Sequence, residues 1–297
     1  PSVHIRDNLQ LQPGEYQILI RGVKVAGGTL MAEHYLAMDP GNVAKPVEGL
    51  ETVEPAFGLP ALWISKPQKE EAEISGYTVV DLPTVIATHL TEIIRSHAHE
   101  LLGRQEAQRL IETFQKTHPK VVEELIPNLL PLGGVVKVMQ NLLREQVSIR
   151  DLLTIFETLA YEAPRTKDLE VLTESVRRAL SRGITKKYTN DDGQIPVISL
   201  DRRIEESISN ALLQTEQGIQ MVLDPQYAQQ VLNAVSKSIE THAVIATQPI
   251  LLTSPTIRRH VRKLTERFIP QLVVLSHHEL VPTAQVKSVD VVRVRDA

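Results

Sequence analysis

Two neighbouring stretches decide how the first third of the chain folds: ETVEPAFGLPALWI at Glu51–Ile64 and YTVVDLPTVIATHLTEIIRSHAHELLGR at Tyr77–Arg104. The first places prolines and a glycine around Phe57 and then runs into a short apolar strand. The second begins as a strand, turns at Asp81 and Pro83, and continues to residue 102 as a helix with apolar residues every three or four positions. Asp81 suits the helix start because a carboxylate accepts from first-turn N–H groups, where a proline is also tolerated. We therefore predict a β-rich region closed by an amphipathic helix.

The composition is that of an ordinary globular protein, and it excludes several kinds of site. A length of 297 residues is too great for one small core and indicates about two to four domains. Hydrophobic residues make up 42% of the chain and charged residues 23%, as in most soluble proteins. The formal net charge of −4 argues against general nucleic-acid binding. Because cysteine is absent, there is no disulfide framework, thiolate nucleophile or cysteine-based metal site, which fits a reducing compartment.

The sequence predicts neither a membrane span nor a secretion signal. No window approaches the ~18 to 20 consecutive apolar residues that a membrane helix needs, and no signal-peptide pattern is present. The chain starts at Pro1 and enters a strand-like pattern at once. We therefore expect it to be a fragment of a longer protein, trimmed at its front edge.

The pattern then changes from strands to helices. Glu15–Val25 alternates apolar and polar side chains, as expected of a strand with one buried face. Five helices are predicted in the central region, at Arg104–Thr117, Lys120–Ile126, Leu132–Glu145, Ile149–Ala163 and Leu169–Ser181. Ser148 with Asp151 is expected to form a capping box at the start of the fourth helix, and Gly183 to end the fifth.

The last third alternates strands and helices. The predicted strands are Ile195–Leu200, Pro249–Thr253, Gln271–Leu275 and an edge strand at Val286–Val294, and the predicted helices are Arg202–Gln214, Pro225–Thr241 and 254–268. Apolar strands separated by helices are typical of a parallel sheet. The predicted fold class is therefore multi-domain α/β plus α, with a β-rich first third, an all-helical centre and a Rossmann-like parallel α/β domain at the end.

Motifs of enzymes and metal sites do not occur in the sequence. His97 and His99 are two residues apart on a helix, so they face different sides and cannot share a metal. HExxH, GxxxxGK[ST] and GxSxG are all missing. We therefore expect no enzyme activity, no cofactor and no metal. The alternative is a small-molecule or nucleotide enzyme that uses the last domain, with His277 or His278 as the acid–base group just past an apolar strand. The ordinary interpretation of that pair is a loop without a ligand.

Two groups of basic residues lie in the second half of the chain. They are Arg177, Arg178, Arg182, Lys186 and Lys187, and Arg258, Arg259, Arg262, Lys263 and Arg267. Such groups on helices are usually solvated, and no aromatic residues lie between them to stack on bases. We expect contacts with neighbouring subunits or acidic partners rather than with nucleic acid.

Phe57 is the strongest candidate for a binding residue. The chain has only four phenylalanines and one tryptophan, and Phe57 and Trp63 fall in the same block. A stiff loop that offers an aromatic side chain beside an apolar groove can bind peptides or helices, because a few buried anchors dominate affinity. The alternative is that the ring fills the core of its own domain.

Several blocks carry a resemblance that spans nearly the whole chain in order. These blocks are SVHIRDNL at 2–9, EPAFGLPALWI at 54–64, VIATHL at 85–90, GRQEAQ at 103–108, VSIRDLLTIFETLA at 147–160 and PQLVVLS at 270–276. Together they resemble the FHIPEP family, the large export-gate proteins of flagellar type III secretion. The resemblance implies a first domain from 1–32 and 82–101, truncated at its N-terminus, and an inserted small domain at 33–81. It further implies a helical domain at 102–182 and a C-terminal α/β domain at 183–297. The family's membrane-embedded N-terminal half is then expected to be missing from this chain.

The family docks export chaperones, loaded with late substrates, in an apolar dimple. By resemblance, its lining residues correspond here to Glu54, Phe57, Thr88, Val80 and Pro40. The implied roles are an apolar anchor for Phe57, a charged partner at the rim for Glu54 and a small polar contact for Thr88. The family pattern has Asp where this chain has Glu54, one methylene longer.

The resemblance also implies partners, assembly and location. The expected partners are chaperone–substrate complexes, other export-apparatus proteins and further copies of the chain in a nine-subunit ring. The expected location is the cytoplasmic face of the inner membrane. An injectisome export gate is the alternative within the resemblance, and the SVHIRDNL and EPAFGL blocks favour the flagellar one.

Overall fold

A computed structural model describes residues 3–215, 218–242 and 248–294 of the chain. The chain divides into two compact units, Pro1–Leu101 and Leu102–Ala297. Over the described ranges, no helix has both the length and the apolarity needed to span a bilayer.

The first unit is rich in β structure, as predicted. Its elements are β1 (Glu15–Ile20), β2 (Val23–Thr29), β3 (His34–Met38), β4 (Leu50–Val53), β5 (Pro60–Ser65), α1 (Lys69–Ile74), β6 (Thr78–Val80), α2 (Leu82–Ser96) and α3 (Ala98–Leu101). Strands β1 and β2 form a separate hairpin. Its turn residues Arg21 and Gly22 both have positive φ, 51° and 84°, which is the geometry that matches the twist of paired strands.

The remaining strands of this unit form an antiparallel sheet in the order β4-β5-β3-β6. Because side chains alternate across a strand, consecutive residues of β5 serve opposite faces. Trp63 packs with Leu36 and Val85, the last of which belongs to α2. Ile64 packs on the other face with Ala72 of α1. The sheet is therefore covered by a helix on each side, and β4 and β6 are its edges.

Helix α2 begins where the sequence predicts. The Asp81 carboxylate accepts a hydrogen bond from Thr84 N at 2.9 Å, which confirms the predicted cap. The helix ends at Ser96 rather than at residue 102. The Ser96 hydroxyl donates to the carbonyl of Glu92 at 2.9 Å, and His97 leaves the helical conformation with φ −104° and ψ 13°. Local side-chain hydrogen bonds of this kind compete with helix continuation.

The second unit begins with helices. They are α4 (Arg104–Gln115), α5 (Pro119–Glu124), α6 (Leu132–Arg144), α7 (Leu152–Glu162), α8 (Leu169–Ala179) and α9 (Ser181–Tyr188), with an irregular segment at Leu125–Leu129 in which Ile126 is not helical. Fully buried side chains such as Phe156, Leu142 and Leu172 form their shared core. The predicted all-helical centre is confirmed.

Two details of this helical region were predicted wrongly. Helix α7 starts at Leu152, because Asp151 and not Ser148 caps it, accepting from Thr154 N at 3.1 Å. The Ser148 hydroxyl accepts from Arg150 N at 3.3 Å instead. Gly183 does not end a helix, since it lies inside α9.

The unit ends with the predicted parallel sheet. Its elements are β7 (Gln194–Leu200), α10 (Arg202–Asn210), β8 (Leu212–Thr215), β9 (Gly218–Met221), α11 (Pro225–His242), β10 (Ile250–Thr253), α12 (Arg258–Thr265), β11 (Val273–Ser276) and β12 (Gln285–Val292). The sheet has the order β11-β10-β7-β12, and every pair in it is parallel. The predicted helix Arg202–Gln214 is too long, because the chain turns after Asn210 into a hairpin of β8 and β9.

A buried ionic cluster joins the helices of this unit to its sheet. Arg177 and Arg258 are each 1% exposed. Arg258 donates to Glu145 and to Glu174, both at 2.6 Å, and Arg177 donates to Glu279. The expectation that these two arginines face partners is therefore wrong, because burying a guanidinium requires paired carboxylates close by.

The neighbouring basic residues are also paired within the unit. Arg259 lies 3.6 Å from Asp168 and 3.7 Å from Glu170, and Lys263 contacts Glu170. Arg262 donates to a backbone carbonyl at 2.7 Å. Most of the second basic group therefore stabilises the fold rather than presenting a free basic face.

Candidate functional site

The side chain of Glu54 closes a short loop between β4 and β5 by accepting hydrogen bonds from the loop backbone. Glu54 Oε1 accepts from Ala56 N at 2.9 Å, and Oε2 accepts from Phe57 N at 2.7 Å. Its backbone takes part as well, since Glu54 N donates to Leu59 O at 2.8 Å and Gly58 N donates to Glu54 O at 2.9 Å. Gly58 has φ +70°, a conformation that favours glycine. Four hydrogen bonds to one residue therefore fix residues 55–59, which we call the Phe57 loop.

The ring of Phe57 points out of the fold. Phe57 is 60% exposed, and Val53 and Leu59 beside it are 61% and 50% exposed. The alternative in which this ring fills the core of its own domain is therefore wrong. Trp63 has that role instead, at 8% exposed. Large apolar side chains grouped on a surface are typical of binding sites.

Two further polar residues, Tyr16 and His89, form a pair in this unit on which Glu54 acts electrostatically. The Tyr16 hydroxyl and His89 Nδ1 are hydrogen bonded at 2.6 Å, with the rings edge to face and their centroids 5.7 Å apart. Burial raises the pKa of Tyr16 to about 12, and Glu54 acts in the same direction. Burial lowers the pKa of His89, which Glu54 partly opposes. Glu54 is thus within electrostatic range of both residues, and we call these three residues the Glu54 cluster.

The cluster corrects the role predicted for Glu54. This residue is 3% exposed, so its carboxylate is not a charge at the rim. The carboxylate is used by the loop's own N–H groups, which is the arrangement that makes burial of a carboxylate tolerable.

The other predicted residues lie at different depths. Pro40 is exposed two residues after β3, and because Met38 pairs with Ala61 it leaves the sheet at the same end as the Phe57 loop. Thr88 is half-buried on α2, next to His89. Val80 is half-buried and packs on the Trp63 side of the sheet, opposite Leu36. Pro40 thus shares an end of the sheet with Phe57, whereas Val80 mainly supports the core.

Sequence reasoning missed Tyr16 and His89. A signal for both was present, since Tyr16 lies in the alternating β1 pattern and His89 follows Val85 by four residues on the apolar face of α2. A polar residue on the buried face of a helix needs a partner, and this was the cue to search for one.

No cluster for metal binding emerges in the residues that the structure describes. Within 3–215, 218–242 and 248–294, no three His, Asp or Glu residues are placed to hold a metal ion. His277 and His278 border an open hollow of about 490 Å³ in the second unit, with Arg178 and aliphatic residues around it.

Comparison with known proteins gives consistent matches along the chain. The FHIPEP family model matches residues 1–285. Flagellar biosynthesis protein FlhA of Bacillus subtilis (strain 168) is 46% identical over 292 residues, which cover 98% of this chain and 43% of that protein. FlhA of Escherichia coli (strain K12) is 43% identical over 280 residues, covering 94% of this chain and 40% of that protein. The chain therefore spans less than half the length of these curated relatives.

Solved structures resemble the fold over nearly its whole length. The Chlamydia pneumoniae CdsV protein has a TM-score of 0.91 and 32% identity, covering 99% of this chain and 85% of that one. CdsV in a complex with CdsO has a TM-score of 0.86 and 31% identity, with the same coverage of 99% and 85%. The nonameric EPEC SctV-C has a TM-score of 0.76 and 26% identity, covering 94% and 84%.

Proposed function

This chain belongs to the FHIPEP family, and from that premise we propose that it is the cytoplasmic part of a flagellar type III export gate, where it docks chaperones loaded with late substrates. The observation that carries the docking proposal is the outward-facing Phe57 on a loop fixed by four hydrogen bonds. Because proteins of this family act as gates for exported proteins, a chaperone–substrate complex is the partner that we propose for this exposed ring.

The physical support is that the anchor is prepared before binding. An exposed aromatic ring gains from burial against a partner, and aromatic anchors are common among residues that dominate affinity. A loop that already holds one conformation loses little further freedom on binding. Exposed Val53 and Leu59 enlarge the apolar surface around the ring.

The remaining predicted residues have graded roles in this proposal. Pro40, exposed at the same end of the sheet, and Thr88, half-buried on α2, are proposed contacts at the margin of the site. Val80 contributes indirectly, because it packs against the core residues of β5.

Replacing the ring tests the proposal directly. Phe57→Ala should weaken binding of a purified flagellar chaperone–cargo complex by about 2 kcal/mol or more, roughly thirtyfold in Kd, because the main apolar anchor is lost. Isothermal titration calorimetry measures the change, and fluorescence of Trp63, the only tryptophan, verifies that the sheet is intact.

Phe268 provides a matched control in the second unit. It is exposed to the same extent as Phe57, 60%, so Phe268→Ala removes a similar apolar surface elsewhere. The control should bind as the unmodified chain does. Equal losses from the two variants, or no loss from Phe57→Ala in a folded protein, would reject Phe57 as the anchor.

We also propose the flagellar rather than the injectisome gate, together with assembly into a ring at the cytoplasmic face of the membrane. The flagellar assignment is supported by FlhA relatives at 46% and 43% identity, against 32% for solved CdsV. The ring proposal draws on the nonameric state of SctV-C. Electron microscopy of the full-length protein in membranes should reveal ninefold rings, and isolated monomers there would contradict assembly.

A further inference from the structure

We propose that Glu54 is an internal clamp that positions Phe57, so that it promotes partner binding through the loop and not by touching the partner. This inference rests on the proposed docking function, and it makes Glu54 a positioning residue rather than a contact residue.

The first step is the accessibility of Glu54. With 3% of its surface exposed, the side chain offers a visiting protein almost nothing to contact. Both carboxylate oxygens are already occupied by loop N–H groups at 2.9 and 2.7 Å. A direct ionic contact would require Glu54 to leave these donors and open the loop.

The second step is the identity of the donors. One of them is the amide of Phe57 itself, so the residue that carries the ring is bonded directly to the carboxylate. Pro55 has no N–H and its φ is fixed, which leaves residues 56 and 57 as the first donors after Glu54. Removing the carboxylate therefore frees the backbone at the ring, and the freedom gained must be lost again when a partner binds.

The third step concerns a hydrogen-bonded pair, Tyr16 and His89, on which Glu54 acts electrostatically. Tyr16 lies on hairpin β1–β2, outside the four-stranded sheet, and its hydroxyl is bonded to His89 of α2. His89 is 4% exposed, so this hydrogen bond lies in a water-poor environment where an unpaired ring nitrogen is unfavourable. The charge of Glu54 favours a higher pKa for both Tyr16 and His89. The hydrogen bond thus joins the hairpin to helix α2, and Glu54 acts on this pair through its charge.

A clamp and a rim charge respond differently to salt and to neutralisation. A rim charge acts by long-range attraction, so its loss matters less as salt rises, and Gln replaces it poorly. A clamp acts through short hydrogen bonds, so its loss is independent of salt, and Glu54→Gln retains one oxygen acceptor for the two loop amides. Glu54→Gln should therefore fall between the unmodified chain and Glu54→Ala.

A double-mutant cycle separates these possibilities. We expect Glu54→Ala to weaken binding of the purified flagellar chaperone–cargo complex about tenfold, equally at about 0.05 and 0.3 M salt. In the Phe57→Ala background the same change should have less than about a twofold effect, because coupled residues are not additive. A salt-dependent loss, or a full loss in both backgrounds, would overturn the clamp.

A spectroscopic readout tests the clamp without any partner. Labelling the chain with ¹⁵N-phenylalanine gives only four amide signals, and the one missing in Phe57→Ala belongs to Phe57. In Glu54→Gln this signal should shift and exchange faster with solvent, whereas in Phe268→Ala it should stay in place. If the Phe57 amide signal does not move in Glu54→Gln, the clamp is overturned, even where Phe57→Ala has shown that Phe57 binds the partner. If the signal moves but Phe57→Ala binds normally, the docking proposal fails and the positioning of Phe57 by Glu54 stands.

Discussion

The side chain of Glu54 is 3% exposed, whereas Phe57, three residues later, is 60% exposed. The pair divides the work of a binding site between an inner residue that fixes the backbone and an outer residue that can contact a partner. Such a division is possible because carboxylate oxygens accept several backbone N–H groups at once. It also means that a charged residue in a binding loop need not contribute by its charge.

His89 gives a prediction about pH at this scale. Burial lowers its pKa in the folded state below the ordinary value of 6.5, against the opposing effect of Glu54. The unfolded chain therefore binds the proton first, and stability that is fully present above the unfolded pKa is lost as the pH falls below it. Urea unfolding followed by Trp63 fluorescence should give a lower free energy of unfolding at about pH 5.5 than at about pH 7.5.

Two variants distinguish the effect of imidazole titration on stability from the effect of the Tyr16–His89 hydrogen bond. His89→Asn removes the titrating group and should reduce the difference between the two pH values. Tyr16→Phe keeps the imidazole and loses only the hydrogen bond, so stability should drop by about 1 kcal/mol at both pH values with the difference retained. An unchanged difference in His89→Asn would show that another group titrates.

Single residues were predictable from the sequence only where their local role was unambiguous. Phe57 was identified because aromatic residues are rare in this chain and proline and glycine surround it. The burial of Glu54 was not predictable, because a carboxylate in a turn is normally solvated and only the folded loop brings the Ala56 and Phe57 amides to this one. The membership of Phe57, Pro40, Thr88, Val80 and Glu54 in one docking site stays a prediction.

At the scale of helices and strands, capping decides where elements begin. Asp81 was a clear cap because Pro83 follows it in the first helical turn, and α2 starts at Leu82. Before α7 the sequence offers both Ser148 and Asp151, and their spacing suggests a capping box that the chain does not use. The β8–β9 hairpin was missed because short apolar runs fit either helix or strand, and tertiary packing makes the choice.

The two candidate caps of α7 allow a matched test. Asp151→Ala should lower the free energy of unfolding by about 1 kcal/mol, because the Thr154 amide and hydroxyl both lose their acceptor. Ser148→Ala should change it much less, since that hydroxyl accepts only one long bond, 3.3 Å, from Arg150. Thermal unfolding followed by helical circular dichroism measures both. A larger effect from Ser148→Ala would mean that α7 begins earlier than described.

At the scale of the whole molecule, each unit is held in its own way. The first unit has a sheet covered on both faces, whereas the second combines an apolar core with buried Arg177 and Arg258. The parallel sheet and the helical centre were predictable from periodicity. The ionic cluster was not, because arginines on a helix look solvated until the fold brings distant carboxylates to them. The division at 182–183 stays a prediction, and the contacts of Arg258 and Arg177 cross it.

Arg258 should be the most sensitive charged residue of the second unit. Arg258→Met should destabilise it by about 3 kcal/mol or more, because the half-buried Glu145 and Glu174 would lose their main cation, the buried guanidinium of Arg258. Arg202→Met is the control, since the Arg202–Glu206 pair lies at the surface and should leave stability close to that of the unmodified chain. Chemical unfolding followed by circular dichroism distinguishes them, and equal effects would contradict a structural role for the cluster.

Glu145 in this cluster predicts sensitivity to acid, whereas burial raises the pKa of Glu174, which acts in the opposite direction. Burial alone would raise the pKa of Glu145, but Arg177 and Arg258 outweigh it and lower the pKa to about 2. The stabilisation is therefore present above the ordinary value of 4.5 and is lost as the pH falls towards 2. In Arg258→Met the loss should begin at a higher pH, which an acid titration of the helical circular dichroism signal would detect. Coincident acid transitions in the two proteins would contradict this account.

The hydrogen bonds that shape the Phe57 loop all run to Glu54, a residue on its inner side. Outward side chains such as Leu59 therefore have no part in keeping the backbone in place and can be exchanged without rebuilding it. Substitutions of the outward side chains should therefore change which partners bind while the loop keeps its backbone conformation.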